Sequence, residues 1–96
     1  MTSNELVSIK QVKIHHNLDD GFMERVESCQ LIEFVFKESE KFMYVEQLPV
    51  LEQIIRLHFD LQVNMEGIDV ITQMLKRMDK LQQTIQHLEN RLRLYE

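Results

Sequence analysis

One cysteine, one proline and two glycines in 96 residues make scarcity the first feature of this sequence. A single cysteine excludes an internal disulfide and any zinc site built on several thiolates. So little glycine and proline, in a chain that is 44% apolar, excludes a disordered or loop-dominated protein and points to a mostly helical one. No apolar run approaches the roughly eighteen residues that a membrane-spanning helix requires. Residues 1–10 carry Glu5 and no apolar signal core, so a soluble, cytoplasmic protein is expected. Cations are scarce too: 11 Lys and Arg against 16 Asp and Glu leave a formal charge of −5, with a pI near 5.3. Phosphate neutralisation needs Lys and Arg, which makes nucleic acid a poor partner for such a chain. At 11.6 kDa there is room for one small domain, or for less than a domain plus a partner.

The acidic excess is uneven. Residues 1–36 hold three basic and six acidic side chains, residues 37–64 three and five, and residues 65–96 five and five. A winged helix-turn-helix-like domain over 1–63, followed by a long helix over 64–96, matches that division.

Ser8 followed by Gln11 has capping-box spacing and predicts a helix starting near Ile9, with Ile9, Val12 and His16 on one face. Asn17-Leu18-Asp19-Asp20 breaks it, since Asn tolerates the left-handed conformation and Asp19 can cap the next helix. In that second helix Phe22, Val26 and Cys29 face a core, while Asp20, Glu24 and Glu27 share another face. Two short helices joined by a four-residue turn resemble a helix-turn-helix. Residues 31–36 and 41–45, rich in β-branched and aromatic side chains around Lys37-Glu38-Ser39-Glu40, predict a small β-hairpin without an Asn-Gly or Asp-Gly turn.

A third helix is expected over 46–61, with Leu48, Leu51, Ile55 and Phe59 inward and Pro49 in the first turn, where a missing N–H costs little. Asn64 caps a fourth helix that runs on for about 46 Å, longer than the body of so small a domain. Ile71, Met78, Ile85 and Leu92 recur every seven residues, and Met74, Leu81, Leu88 and Tyr95 follow three positions later, as the a and d positions of a coiled coil do. Ahead of Met78 the apolar face is wider, with Ile68, Val70 and Leu75, and suits packing on the domain. Beyond it, Met78, Leu81, Ile85, Leu88, Leu92 and Tyr95 form a narrow seam suited to a partner helix, so a homodimer is expected. Burying each seam side chain contributes roughly 1.5–3 kcal/mol. The alternative is a helix folded back on its own domain.

Nothing in the sequence supports catalysis, and no cofactor, metal or small-molecule substrate is expected. His15 and His16 are adjacent and point to different sides of a helix, His58 and His87 are remote, and no His-x-x-x-His pair occurs. Cys29 reads as a buried thiol rather than a nucleophile. Ser3, Ser8, Ser28 and Ser39 have no glycine-rich elbow or phosphate loop around them. Met74 and Met78 read as packing residues. Phe36, Phe42 and Tyr44 read either as interface anchors or as cover for the core.

The order helix-turn-helix, hairpin, helix and long coiled-coil helix resembles the MerR-like winged-helix family. Ile9, Val12, Leu18 and Met23 fall at its apolar helix-turn-helix positions, and Leu31-Ile32 at its exit into the wing. A second set, Arg56-Leu57, Asp60-Leu61 and Asn64-Met65-Glu66-Gly67-Ile68 ahead of a Met/Leu-rich coil, is similar to a segment of the CbpM-type chaperone modulators, a branch of that group. This resemblance implies binding to, and inhibition of, the J-domain of a DnaJ/CbpA-like co-chaperone. DNA-reading members carry an Arg-Tyr pair in the second helix and a Gly-Tyr-Arg wing. Here those registers hold Glu24-Arg25 and Phe42-Met43-Tyr44, and Asn17 replaces the turn glycine.

The second helix of a DNA reader lies in the major groove. In this chain it presents Asp19, Asp20, Glu24 and Glu27 with Arg25 as its one cation, a stripe that repels phosphate. Asp19 and Asp20 also fit as acids favoured at a helix N-terminus, whereas Glu24 and Glu27 lie too far along. These four are the candidate partner-binding residues, and a basic J-domain surface is the expected partner. The alternatives are a MerR-like DNA-binding transcription regulator and a coiled-coil adaptor for another protein.

Overall fold

The computed structural model describes residues 5–95; Ser3 and the first part of the 1–10 segment lie outside the described residues. In chain order it contains strand β1 (Leu6–Ser8), helix α1 (Ile9–His16), helix α2 (Asp20–Ser28), strands β2 (Phe34–Lys37) and β3 (Glu40–Tyr44), and a 3₁₀ turn (Val45–Gln47). Helix α3 (Leu48–Ile55), a π-helical turn (Arg56–Asp60) and helix α4 (Met65–Arg93) follow. The expected fold class is what is seen: a mostly helical helix-turn-helix with a hairpin wing and a long terminal helix.

The scarcity of glycine has a structural counterpart. Asn17, Gln30, Glu38, Ser39 and Gln62 all take positive φ, and neither glycine does. Asn17 (φ 56°, ψ 51°) stops α1 as expected: its N–H donates to the Ile14 carbonyl, and Leu18 N–H reaches back to the Lys13 carbonyl at 2.8 Å. Gln30 ends α2 in the same way, with Leu31 N–H donating to the Val26 carbonyl at 3.2 Å. These two bonds per helix end satisfy carbonyls that would otherwise lack partners. The hairpin is closed by Glu38 and Ser39 at φ 51° and 67°, a type I′ turn whose twist matches the strands without the usual glycine. A non-glycine residue in the left-handed region costs roughly 1–2 kcal/mol. Ser39→Gly is therefore expected to stabilise the protein by about 0.5–1 kcal/mol after the added chain entropy of glycine. The check is an increased urea midpoint at unchanged m-value; a decreased midpoint would contradict it.

Several expectations need correction. Helix α1 does begin at Ile9, but the Ser8 side chain makes no capping bond, because Ser8 ends β1. That strand was not foreseen. It pairs antiparallel with β3 (Val7 opposite Met43), and β3 pairs with β2 (Phe34 opposite Met43), giving a three-stranded sheet in the order β1-β3-β2. The wing is thus tied to the start of the chain. Residues 31–33 precede the sheet rather than belonging to it, with Leu31 and Ile32 buried in the core. Cys29 caps the end of α2 and is half-buried against the core rather than enclosed.

The third helix is not continuous over 46–61. Its buried residues are Leu51 and Ile54; Leu48 and Ile55 are half-buried, and Phe59 is 51% exposed. The π turn accommodates an extra residue, which rotates the following side chains relative to the α-helical face. Phe59 consequently reaches the edge of the core, where its ring lies 5.2 Å from that of Phe22.

Asn64 caps α4 as expected, Oδ1 accepting from Gly67 N–H at 2.8 Å. Gly67 is required by close approach: a Cβ there would sit 2.8 Å from Val63 Cγ1. Met65, Ile68 and Thr72 are buried, joining the enclosed side chains of Phe22, Val26, Met43, Leu51 and Ile54. Packing ends there. Val70, Met74 and Leu75, expected against the domain, are exposed, as is every residue from Gln73 to Tyr95. The body is too small to follow a 29-residue helix of about 44 Å, so α4 projects and sets the 55 Å long dimension. It does not fold back.

Candidate functional site

The four α2 acids occupy different electrostatic situations. Asp19 is engaged as the N-cap, its Oδ1 accepting from Phe22 N–H at 2.6 Å. Asp20 forms an ion pair with Lys13 of α1; the hydrogen bond from that lysine, and then its charge, hold the Asp20 carboxyl below the usual carboxylate value. Glu27 is paired with Lys41 of the wing at 2.5 Å. The same lysine lies over the rings of Phe34 and Phe36 at 5.8 and 5.4 Å. Glu24 is exposed and makes no ion pair among the described residues. A third pair, Lys10–Glu40 at 3.9 Å, joins α1 to the wing.

Lys13 and Lys41 are seven and fourteen positions from their acids. They come from elements flanking α2, so a reading confined to the helix counts Arg25 and overlooks them. The face between α2 and the wing therefore interleaves lysines and carboxylates. Such exposed pairs contribute little to stability, but they determine what the surface offers a visitor: each of these lysines already faces a carboxylate.

Met78, Leu81, Ile85, Leu88 and Leu92 lie along the projecting part of α4, from 51% exposed at Leu88 to 63% at Leu92, whereas Tyr95, expected to continue the seam, falls in a turn beyond the helix end at Arg93 and is 85% exposed. An apolar stripe of this length left open to water is the kind of patch at which interaction sites are found.

The segment from Arg56 to Ile68 builds the corner between α3 and α4. Leu57 and Val63 are half-buried, Met65 and Ile68 buried; the left-handed Gln62 ends the π turn, and Asn64 and Gly67 shape the start of α4. His58 packs at 5.2 Å on Phe22, and its Nδ1 lies 3.2 Å from the Val63 carbonyl. Arg56, Asp60 and Glu66 are its exposed charged members.

His15 and His16 meet edge to face at 4.8 Å beside a recess between α1 and α3. That recess was not anticipated, because its walls come from separate stretches of the chain. Among the described residues no group of three or more His, Cys, Asp or Glu converges to hold a metal, and no helix is long and apolar enough to cross a membrane.

A helix-turn-helix with a hairpin wing, joined through a sharp corner to a long terminal helix, defines a winged helix-turn-helix regulatory domain. The family model described as "MerR HTH family regulatory protein" matches residues 7–90, and the chain belongs to that family. Comparisons with curated proteins and with solved structures gave no match.

Proposed function

We propose that this member of the family is a non-enzymatic regulator that acts by binding another protein, with the J-domain of a DnaJ/CbpA-like co-chaperone as the client it inhibits. The observation that carries the protein-binding part is the ion pairing of the wing face. Lys10 and Lys13 of α1 and Lys41 of the wing each face a carboxylate of the same chain. With −5 overall, such a surface resists phosphate and favours a basic protein. The choice of client rests on the similarity of the Arg56–Ile68 region to the chaperone modulators.

The protein is further proposed to act as a homodimer through the α4 seam, which no other element among the described residues covers. Calorimetry with the J-domain of a DnaJ-like protein from the same organism tests the client. Heat is expected at tens of micromolar or below, with affinity falling as salt is raised. Absence of heat would remove the client, and a sequence-specific DNA shift at physiological salt would defeat the charge argument.

A further inference from the structure

The α2 acids are largely spent, and a different surface is free. Between α1 and α3 lie two recesses of about 420 and 400 Å³ that share His16 and Glu52 in their walls. Together they form one trough running along both helices. Val7, Val12 and Leu48 supply the apolar lining of the first recess beside Gln11 and His15, and the second is mixed, with Pro49 and Ile55 next to Glu52 and Arg56. Glu52 stands in the wall between them, exposed and without an ion pair among the described residues. Arg56 lies one helical turn further along, at the edge of the second recess.

We propose that this trough, rather than the acidic stripe of α2, is the docking site for the client, and that it takes an amphipathic, basic helix of a partner protein. Two helices form its walls, the geometry into which a third helix lays an apolar stripe. The two recesses receive apolar side chains from successive turns of that helix, and a Lys or Arg between them meets the Glu52 carboxylate. A carboxylate further along the partner meets Arg56, which fixes the direction in which the helix lies. The overall negative charge attracts such a segment before contact, and a cation opposite an unpaired rim acid adds selectivity. This assignment deepens the protein-binding reading above and rests on it.

The test is an amide-shift map of the isotopically labelled full chain, titrated with the J-domain and, separately, with a synthetic leucine/lysine amphipathic helix of about four turns. Shifts are expected at Val7, Gln11, Leu48 and Glu52. Glu52→Lys is expected to weaken both ligands about tenfold, and Glu24→Lys to change them less than about twofold. Both positions are exposed, so the variants keep the fold. Shifts confined to α2 and the wing or to α4, or an unchanged affinity in Glu52→Lys, would overturn the assignment. Trough shifts that grow with protein concentration alone would also overturn it, since a second copy would then be the occupant. If the peptide shifts the trough while the J-domain gives no heat, the trough stands and the client falls. If the J-domain binds elsewhere, the client stands and the trough falls.

Discussion

Phe22→Ala is expected to destabilise the domain by about 3–5 kcal/mol, the range for deleting a fully buried aromatic side chain. Small domains have about 5–15 kcal/mol in total, so a substantial share of the margin would go. Phe22 is 0% exposed and sits in the first turn of α2, where Asp19 caps its N–H. Its ring contacts those of His58 and Phe59, each at 5.2 Å, so one side chain links the helix-turn-helix to the α3–α4 corner. Deleting it opens a cavity and removes the surface that holds the π turn in place. Phe59→Ala supplies the comparison: that ring is half-exposed, so its loss should cost only about 1 kcal/mol from the aromatic contact. The two together should cost less than their sum, because the pair shares an interaction. Urea denaturation followed by the dispersed amide signals of the domain measures all three. A loss below about 1 kcal/mol for Phe22→Ala would mean that the corner does not depend on this ring.

Local chemistry made several of these features legible in the sequence, and distance in the chain hid the others. Asn17, Asp19 and Asn64 could be placed at helix ends because a short polar side chain that caps or turns left-handed is a property of one residue and its near neighbours. The length of α4 was equally readable, since a helix that leaves the body keeps its period undisturbed. Glutamine carries no comparable signal, which is why the left-handed stops at Gln30 and Gln62 went unseen. A three-residue strand such as β1 is too short to show alternation, and the π turn shifts phase without any proline or glycine to mark it. The Arg56–Ile68 segment was found as a pattern, and the structure shows how much of it is corner-building: Asn64, Gly67, Met65 and Ile68 serve the start of α4. At the candidate site, the acids of α2 were visible but their partners were not. Lys13 and Lys41 reach them from α1 and the wing only once the chain is folded. The α1–α3 trough has the same origin, being a juxtaposition of positions about 40 apart in the chain, such as Val12 and Glu52, that no local period connects.

Ile85→Asp is expected to convert a dimer to a monomer without unfolding the domain. Ile85 lies near the middle of the exposed seam, between Leu81 and Leu88, and has no role in the core of its own chain. In a paired coil each seam side chain contributes roughly 1.5–3 kcal/mol, and the substitution removes that contribution from both copies. It also places two carboxylates where water is excluded, which adds a desolvation cost. The dimer dissociation constant should therefore rise at least about a hundredfold. Light scattering at tens of micromolar should halve the apparent mass, and the concentration dependence of thermal melting should disappear. Asn90→Asp adds the same charge to α4 outside the seam and should leave both quantities near those of the parent chain. A parent chain that is monomeric at those concentrations, or an Ile85→Asp variant that remains a dimer, would overturn the seam assignment. The variant also separates assembly from client binding. The trough lies between α1 and α3 of a single body and requires nothing from a second copy, so monomeric Ile85→Asp should still bind the amphipathic basic helix with the affinity of the parent, one per chain.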